Sequence, residues 1–594
     1  MININYQKRK NQELFKSLEN PKTVFLSSSQ NYIPIYNKFF ALNETNYNNV
    51  NFNNKWYLTS VKECEDEEDL NRNIFDCNIK NIATNKIKEK EVFFKMAPLL
   101  DPFKYLVGKY DVEDKRNYTL PQLNSSVDNC NSKFIDQNNS AYVDGLFVFL
   151  SSNLIYEHNF SHGVDYYGSF LGVKNNFIVN AFDDIDYLNN SEFFNKNKGV
   201  LFKIDDYEHL FQQEENEKLK PITIGNAVQN FSIKSFDDRQ FEDIFEEGTL
   251  DLNDLKDMSM DLVDMTNSNL LENNDAKNVS LKSNSSCSSR TSYTEENNED
   301  VDEDVDNEDL DNKDVDNEDV DDKSTVWEDE EDDISSFEEE RINVTIPKFP
   351  IQLICMENCD DTFDNLILEE DLTKEEWFSA LMQIIMILLT YQKAFNFTHN
   401  DLHTNNVMYN KTEKKFIYYC YKKKYYKVPT FGRIFKIIDF GRSIYKFDGK
   451  LFCSDSFQAG GDAATQYNTE PYLNEKKPRL EPNFSFDLCR LACSIFDYVV
   501  EDFDEIKDLS KCKDPVKKLI VEWCLDDKGL NMLYKGNGVD RYPDFKLYKM
   551  IARCVHNHTP QAQLERPEFS AYTNFKGDVP NGELIDIDKI PVCI

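Results

Sequence analysis

Apolar positions change their spacing several times along the chain, and each change marks an element. Residues 1–84 are rich in Asn, Lys and Tyr, contain no glycine and show weak periodicity. They read as an N-terminal extension. The pattern sharpens at "EVFFK", a strand-like run ending in Lys95. "NSAYVDGLFVFLSSNLI" spaces Tyr142, Leu146, Phe149 and Leu150 along one helical face. "GVDYYGSFLG" and "NNFIVNAF" predict two strands joined by a glycine-containing turn. Residues 176–344 read as a long insertion, and order resumes at "FPIQLICMENC", an almost continuous apolar run that predicts a buried strand. Thr373 and Glu376 have capping-box spacing and open a long helix, apolar nearly all round and therefore expected in a core. Then come "HNDLHTNN", the strand "NVMY", a basic tyrosine-rich excursion and the strand "IFKIIDF". A hairpin of those two strands would bring Asp401 and Asn406 to Asp439, although 33 residues separate the last two.

Composition supports a folded chain. The 594 residues are 40% hydrophobic, with 44 Phe and 30 Tyr, enough for about two to four domains. The formal net charge of -40 is mostly local. Glu295 to Glu340 carries 26 acids against Lys313 and Lys323, a net of -24, which leaves -16 for the remaining chain. So acidic a tract, with few apolar side chains, cannot repay its ordering entropy and is expected to be disordered. The stretch "SNSSCSSRTSYTEE" before it reads equally as a phosphoacceptor site for acid-directed kinases or as a solvated linker. Against this acid, the excursion from Lys411 to Lys436 carries nine cations and one acid, Glu413. An intramolecular contact of tract with hairpin is one expectation, since a tether supplies high local concentration. The overall charge weighs against nucleic acid.

The 14 cysteines are scattered. The CxxxC pairs Cys355/Cys359 and Cys489/Cys493 have no matching His or Cys pair, so a zinc site is not expected. With no apolar leader in "MININYQKRKNQ", reduced thiols in a cytoplasmic, non-secreted protein are expected. The longest apolar stretch, Ala380 to Leu389, is about half a membrane span.

Phosphoryl transfer needs a base near the acceptor hydroxyl, oxygen ligands for magnesium and a cation on the phosphates. An Asp, an Asn five residues on and a "DFG" after a hairpin supply the first two. These segments resemble the protein kinase catalytic domain, and more closely the kinase-like proteins of giant DNA viruses, which would place the chain in host cytoplasm or virion. The resemblance covers roughly residues 85–575. It implies a two-lobed α+β fold with the acidic insertion in its N-terminal lobe: extension 1–84, N-terminal lobe 85–175, insertion 176–344, then hinge and C-terminal lobe 345–594. It implies magnesium and ATP as cofactors, a protein Ser or Thr as acceptor, Asp401 as base, and Asn406 and Asp439 as metal ligands. Lys95 would be the phosphate-binding lysine, with Asp144 as its candidate partner, and the backbone of Glu357 to Cys359 would hold adenine. His399 would pack on the "DFG" phenylalanine, Asp487 would hold the catalytic loop, and Arg566 would be structural.

Several positions depart from that pattern. No glycine precedes Lys95, so the glycine-rich phosphate loop is missing, which leaves a pseudokinase or scaffold as an alternative. Asn400 replaces the arginine that reads a phosphorylated activation loop. His403 replaces the catalytic-loop lysine, a pattern shared with small-molecule phosphotransferases, which keeps a small-metabolite acceptor as a second alternative. "TEPY", Thr469 to Tyr472, could stand in for Ala-Pro-Glu.

Overall fold

The computed structural model describes residues 2–64, 73–205, 342–501, 503–536, 538–543, 545–575, 579–580 and 582–594. The acidic tract and the Ser-rich stretch lie outside the described residues. The described chain is a mixed α/β fold with mainly antiparallel sheets. Its largest sheet runs in the order β2 (Leu26–Gln30), β7 (Tyr166–Asn180), β9 (Asn343–Glu357), β6 (Ile87–Pro98), β5 (Ile74–Asn81) and β4 (Trp56–Val61), with β8 (Lys203–Ile204) paired to β9. Strands β1 (Tyr6–Lys8) and β3 (Val50–Phe52) form a separate pair.

Central position explains the composition of β9. It pairs with β6 on one side and β7 on the other, and Ile351, Leu353, Ile354 and Cys355 are completely buried. In β6 the two-residue period places Val92 and Phe94 on one face and Lys95 on the other; Lys95 lies opposite Ile354 of β9.

Three expectations change here. Strands β2, β4 and β5 belong to the same sheet as β6, so the boundary expected at residue 84 does not separate an extension from the fold. Their Asn and Lys positions hide the alternation that would have revealed them. The predicted strand pair between residues 163 and 182 is one continuous strand, β7, of 15 residues. Gly172 is not a turn residue: a Cβ there would meet Leu26 Cδ1 at 3.0 Å, so the glycine admits β2. The strand continues past the expected insertion boundary at 176, and β8 returns to pair with Val344 and Thr345 of β9.

Helix α1 (Ser140–His158) packs on the sheet, its N-terminus capped by the Asn139 side chain on Ala141 N. Gly145 permits that packing, because a Cβ would meet Gln352 Nε2 of β9 at 2.1 Å. Helix α2 (Lys374–Phe395) opens with the expected capping box. It is long and apolar enough to cross a membrane, yet it is buried within the fold. β10 (Asp361–Thr362), just before this helix, forms one antiparallel sheet with β11 (Val407–Lys411) and β14 (Arg433–Ile437), which follow it. The basic excursion forms β12 (Phe416–Tyr421) and β13 (Lys424–Pro429), with β17 (Leu584–Asp586) parallel to β12. A hairpin of β15 (Ile444–Phe447) and β16 (Lys450–Cys453) follows the "DFG", and helices α3 (Phe486–Val499) and α4 (Lys546–Cys554) come later. All thirteen cysteines among the described residues are free thiols.

Two cations of the excursion turn inward rather than to solvent. Lys436 is buried and ion-paired with Glu357 at 3.0 Å, and Arg433 pairs with Glu370 and Glu376. Less of the hairpin's charge is thus free for the acidic tract than the sequence count suggests.

His162 is completely buried, its Nδ1 on Phe435 O and its Nε2 on Tyr419 OH, both at 2.7 Å. Burial lowers its pKa from 6.5 to about 3. Between those values the unfolded chain binds a proton that the folded chain refuses. Stability from this site is complete above pH 6.5 and is lost as pH falls toward 3, at about 1.4 kcal/mol per unit. Urea unfolding from about pH 7 to 4.5 should show a steeper loss for wild type than for His162→Gln. Equal slopes would contradict it.

Candidate active site

Three segments meet at Lys95. Its Nζ lies 2.6 Å from Asp144 Oδ2 of α1 and 2.8 Å from Asp439 Oδ1, just past β14. The other oxygen of Asp144 accepts the Phe440 N–H at 3.0 Å. One helix carboxylate therefore holds both the strand lysine and the backbone after Asp439. Burial opposes charge on Lys95, but its two carboxylates outweigh that and raise its pKa. Burial likewise opposes charge on Asp439, and Lys95 reverses it, holding the carboxyl well below its usual range. Asp144 goes the other way, raised by burial against the pull of Lys95. Asp439 keeps 47% of its side chain exposed while Lys95 keeps 23%, so this side of the site faces solvent.

The loop between α2 and β11 is set from beneath. Asp487, at the first turn of α3 and completely buried, accepts His399 N at 2.9 Å and Asn400 N at 2.9 Å. Those bonds fix a left-handed residue at Asn400, φ 65°, a conformation Asn tolerates better than most side chains. The Asn400 side chain donates to Arg442 O at 2.9 Å and accepts the Tyr467 hydroxyl at 2.7 Å. Neutral hydrogen bonds thus tie this loop to the segment after the "DFG". His399 lies against Phe440, with ring centroids 5.7 Å apart, and its Nε2 sits 2.8 Å from Ile438 O.

Antiparallel pairing of β11 with β14 brings Asn406 beside Asp439, and Ile438 N donates to Asn406 O at 3.0 Å. The Asn406 amide nitrogen lies 2.9 Å from Asp401 O and 3.0 Å from His403 Nε2. Its NH2 is thereby occupied, and the amide oxygen is the atom with metal-ligand chemistry. Burial lowers the His403 pKa to about 4, so the imidazole is neutral near pH 7 and accepts from Asn406. Asp401 is buried, at 6% exposure. Burial opposes its charge, but Arg442 foremost, with Arg490, holds its pKa below the usual value.

The adenine-binding candidates stand differently. Glu357 already donates its N–H to Asp165 O at 2.8 Å. Its carboxylate pairs with Lys436 and accepts Asn410 Nδ2 at 2.7 Å. Cys359 is half-buried just beyond β9, its thiol pushed up to about 12 by burial. Arg566 pairs with Glu522.

No protein family model matches the chain. Over 183 residues, 30% of this chain, it is 28% identical to an uncharacterized protein of invertebrate iridescent virus 6, covering 26% of that protein. Over 90 residues, 14% of this chain, it is 36% identical to the serine/threonine-protein kinase haspin of Bos taurus, covering 12% of it. Part of the chain resembles a protein kinase. It spans about a quarter of the length of the viral relative and about an eighth of the kinase.

Sequence reasoning missed two residues. Tyr548 of α4 donates its hydroxyl to Asp401 Oδ1 at 2.9 Å across 147 positions, and no local pattern announces it. Lys436 was counted with the solvent-facing cations, although its place inside a strand with a buried neighbour on each side was the available signal.

Asp487→Ala would strip the buried His399 and Asn400 amides of their acceptor. At about 1–3 kcal/mol for each unsatisfied group, the loss of stability in urea should reach several kcal/mol. Asp487→Asn, which retains one acceptor oxygen, should lose less. A neutral Asp487→Ala would show that the loop is held elsewhere.

Proposed function

We propose that the chain is a magnesium- and ATP-dependent phosphotransferase with a two-lobed protein-kinase-like fold, acting on Ser or Thr of a protein. The observation that carries this reading is the triad of Lys95 between Asp144 and Asp439, with Asn406 and Asp401 on the adjoining loop. The partial likeness to a serine/threonine-protein kinase adds to it.

The donor set fits the cofactor. Asp439 carboxylate and Asn406 amide oxygen are hard oxygen ligands of the kind magnesium takes. Magnesium-bound ATP would supply the γ-phosphoryl group and screen its charge. Lys95 carries the fixed positive charge for the phosphates, and Asp144 keeps it aimed. Asp401 orients the acceptor hydroxyl and takes its proton as the new O–P bond forms and the bond to ADP breaks. Neutral His403 holds the amide of Asn406 and so orients its oxygen; it brings no positive charge. Glu357, braced by Lys436, sets the end of β9, and the backbone at Cys359 is offered to the adenine edge.

Each role separates in an assay. Asp401→Asn should lower phosphoryl transfer by about a thousandfold, the range for a general base, while magnesium-ATP affinity stays within twofold. Asp439→Asn and Lys95→Met should lose both transfer and affinity. Labelled ATP and equilibrium nucleotide binding check this on the same preparations. Transfer surviving Asp401→Asn and Asp439→Asn alike would end the assignment.

A further inference from the structure

The two sides of the site differ in access. On the phosphate side, Asp439 and Lys95 retain 47% and 23% side-chain exposure. On the acceptor side, Asp401 and Tyr548 are each 6% exposed. A general base must lie about 2.6–3.2 Å from the oxygen whose proton it takes, and the Tyr548 hydroxyl stands 2.9 Å from Asp401 Oδ1.

The helix that carries this phenol is built to keep it there. Leu547, Tyr548, Ile551 and Ala552 form the buried face of α4. The Tyr548 ring stacks on Phe545 at 5.1 Å, and the guanidinium of Arg490 lies 5.0 Å from the ring centroid. Arg442 lies 5.9 Å from the same centroid. At its first turn α4 has no capping side chain on its backbone amides, which leaves that end weaker than a capped helix.

We propose that Tyr548 is an acceptor-site latch: its hydroxyl occupies the place on Asp401 that the hydroxyl of a phosphoryl acceptor takes, so α4 must withdraw before transfer. This rests on the phosphotransferase reading above. The latched chain binds nucleotide on its open side and transfers slowly. The phenol is an inert occupant and not itself the acceptor: burial raises its pKa, while the pKa of Asp401 is lowered, so the proton stays on the tyrosine.

Carbodiimide labelling of Asp401 with glycine ethyl ester, read by peptide mass spectrometry, tests closure without requiring activity. The full chain is compared with Tyr548→Phe, which retains the ring packing, and Tyr548→Ala. In parallel, magnesium-ATP affinity and labelled phosphate transfer to dephosphorylated casein are measured. Loss of a hydrogen bond to a charged group, on the order of 1.5 kcal/mol, corresponds to about tenfold. Asp401 labelling and transfer should each rise about tenfold in Tyr548→Phe and further in Tyr548→Ala, with ATP affinity within twofold of wild type. Equal labelling of Asp401 in wild type and Tyr548→Phe overturns the latch. Faster labelling with slower transfer also overturns it, because Tyr548 would then be positioning the base. Faster labelling with ATP bound but no transfer in any form upholds the closure and overturns the phosphotransferase reading.

Discussion

One ammonium group shared by two carboxylates holds the site together. Lys95 comes from the sheet, Asp144 from the helix packed on it, and Asp439 from the loop beyond β14. Without the lysine, two partly desolvated carboxylates would face each other, and removing one partner from such an arrangement usually costs more than the pair is worth. The rest of the fold brings these three groups within reach. Gly145 lets α1 approach β9, β9 sets the register of β6, and the pairing of β11 with β14 delivers Asp439 next to Asn406.

Apolar packing fixes the angles between these parts. Phe147, one turn beyond Asp144 on α1, meets Phe397 at 4.4 Å and Phe440 at 4.6 Å between ring centroids. The same helix therefore contacts the loop entrance and the residue after Asp439. Tyr445 of β15 donates its hydroxyl to Val143 O at 2.9 Å, and Asp455 accepts the Ser140 amide at 2.9 Å while pairing with Lys133. The segment after the "DFG" is thus fastened to the helix that carries Asp144 by bonds that need no added phosphate.

Local signals made much of this legible. The capping box at Thr373, the apolar helix after it and the two strands flanking the basic excursion each follow from residues a few positions apart. Asp401, Asn406 and Asp439 were legible because a hairpin was. Asp144 was a candidate partner of Lys95 only through the resemblance to the protein kinase domain; its carboxylate lies 2.6 Å from Lys95 Nζ. The early strands were not legible, since their Asn and Lys positions mask the two-residue period. Gly172 was misread because a turn and a close strand approach call for the same residue. Tyr548 and Lys436 depend on contacts between distant segments, which no local pattern announces.

Nucleotide binding tests the central claim without waiting on an acceptor. ATP titrated calorimetrically into the full chain, with magnesium and then with a chelator, tests the proposed roles of the triad and of the neighbouring Asn406 oxygen. The account predicts one site per chain, with affinity that collapses when magnesium is removed. Absence of binding in both conditions, or binding indifferent to magnesium, would contradict it.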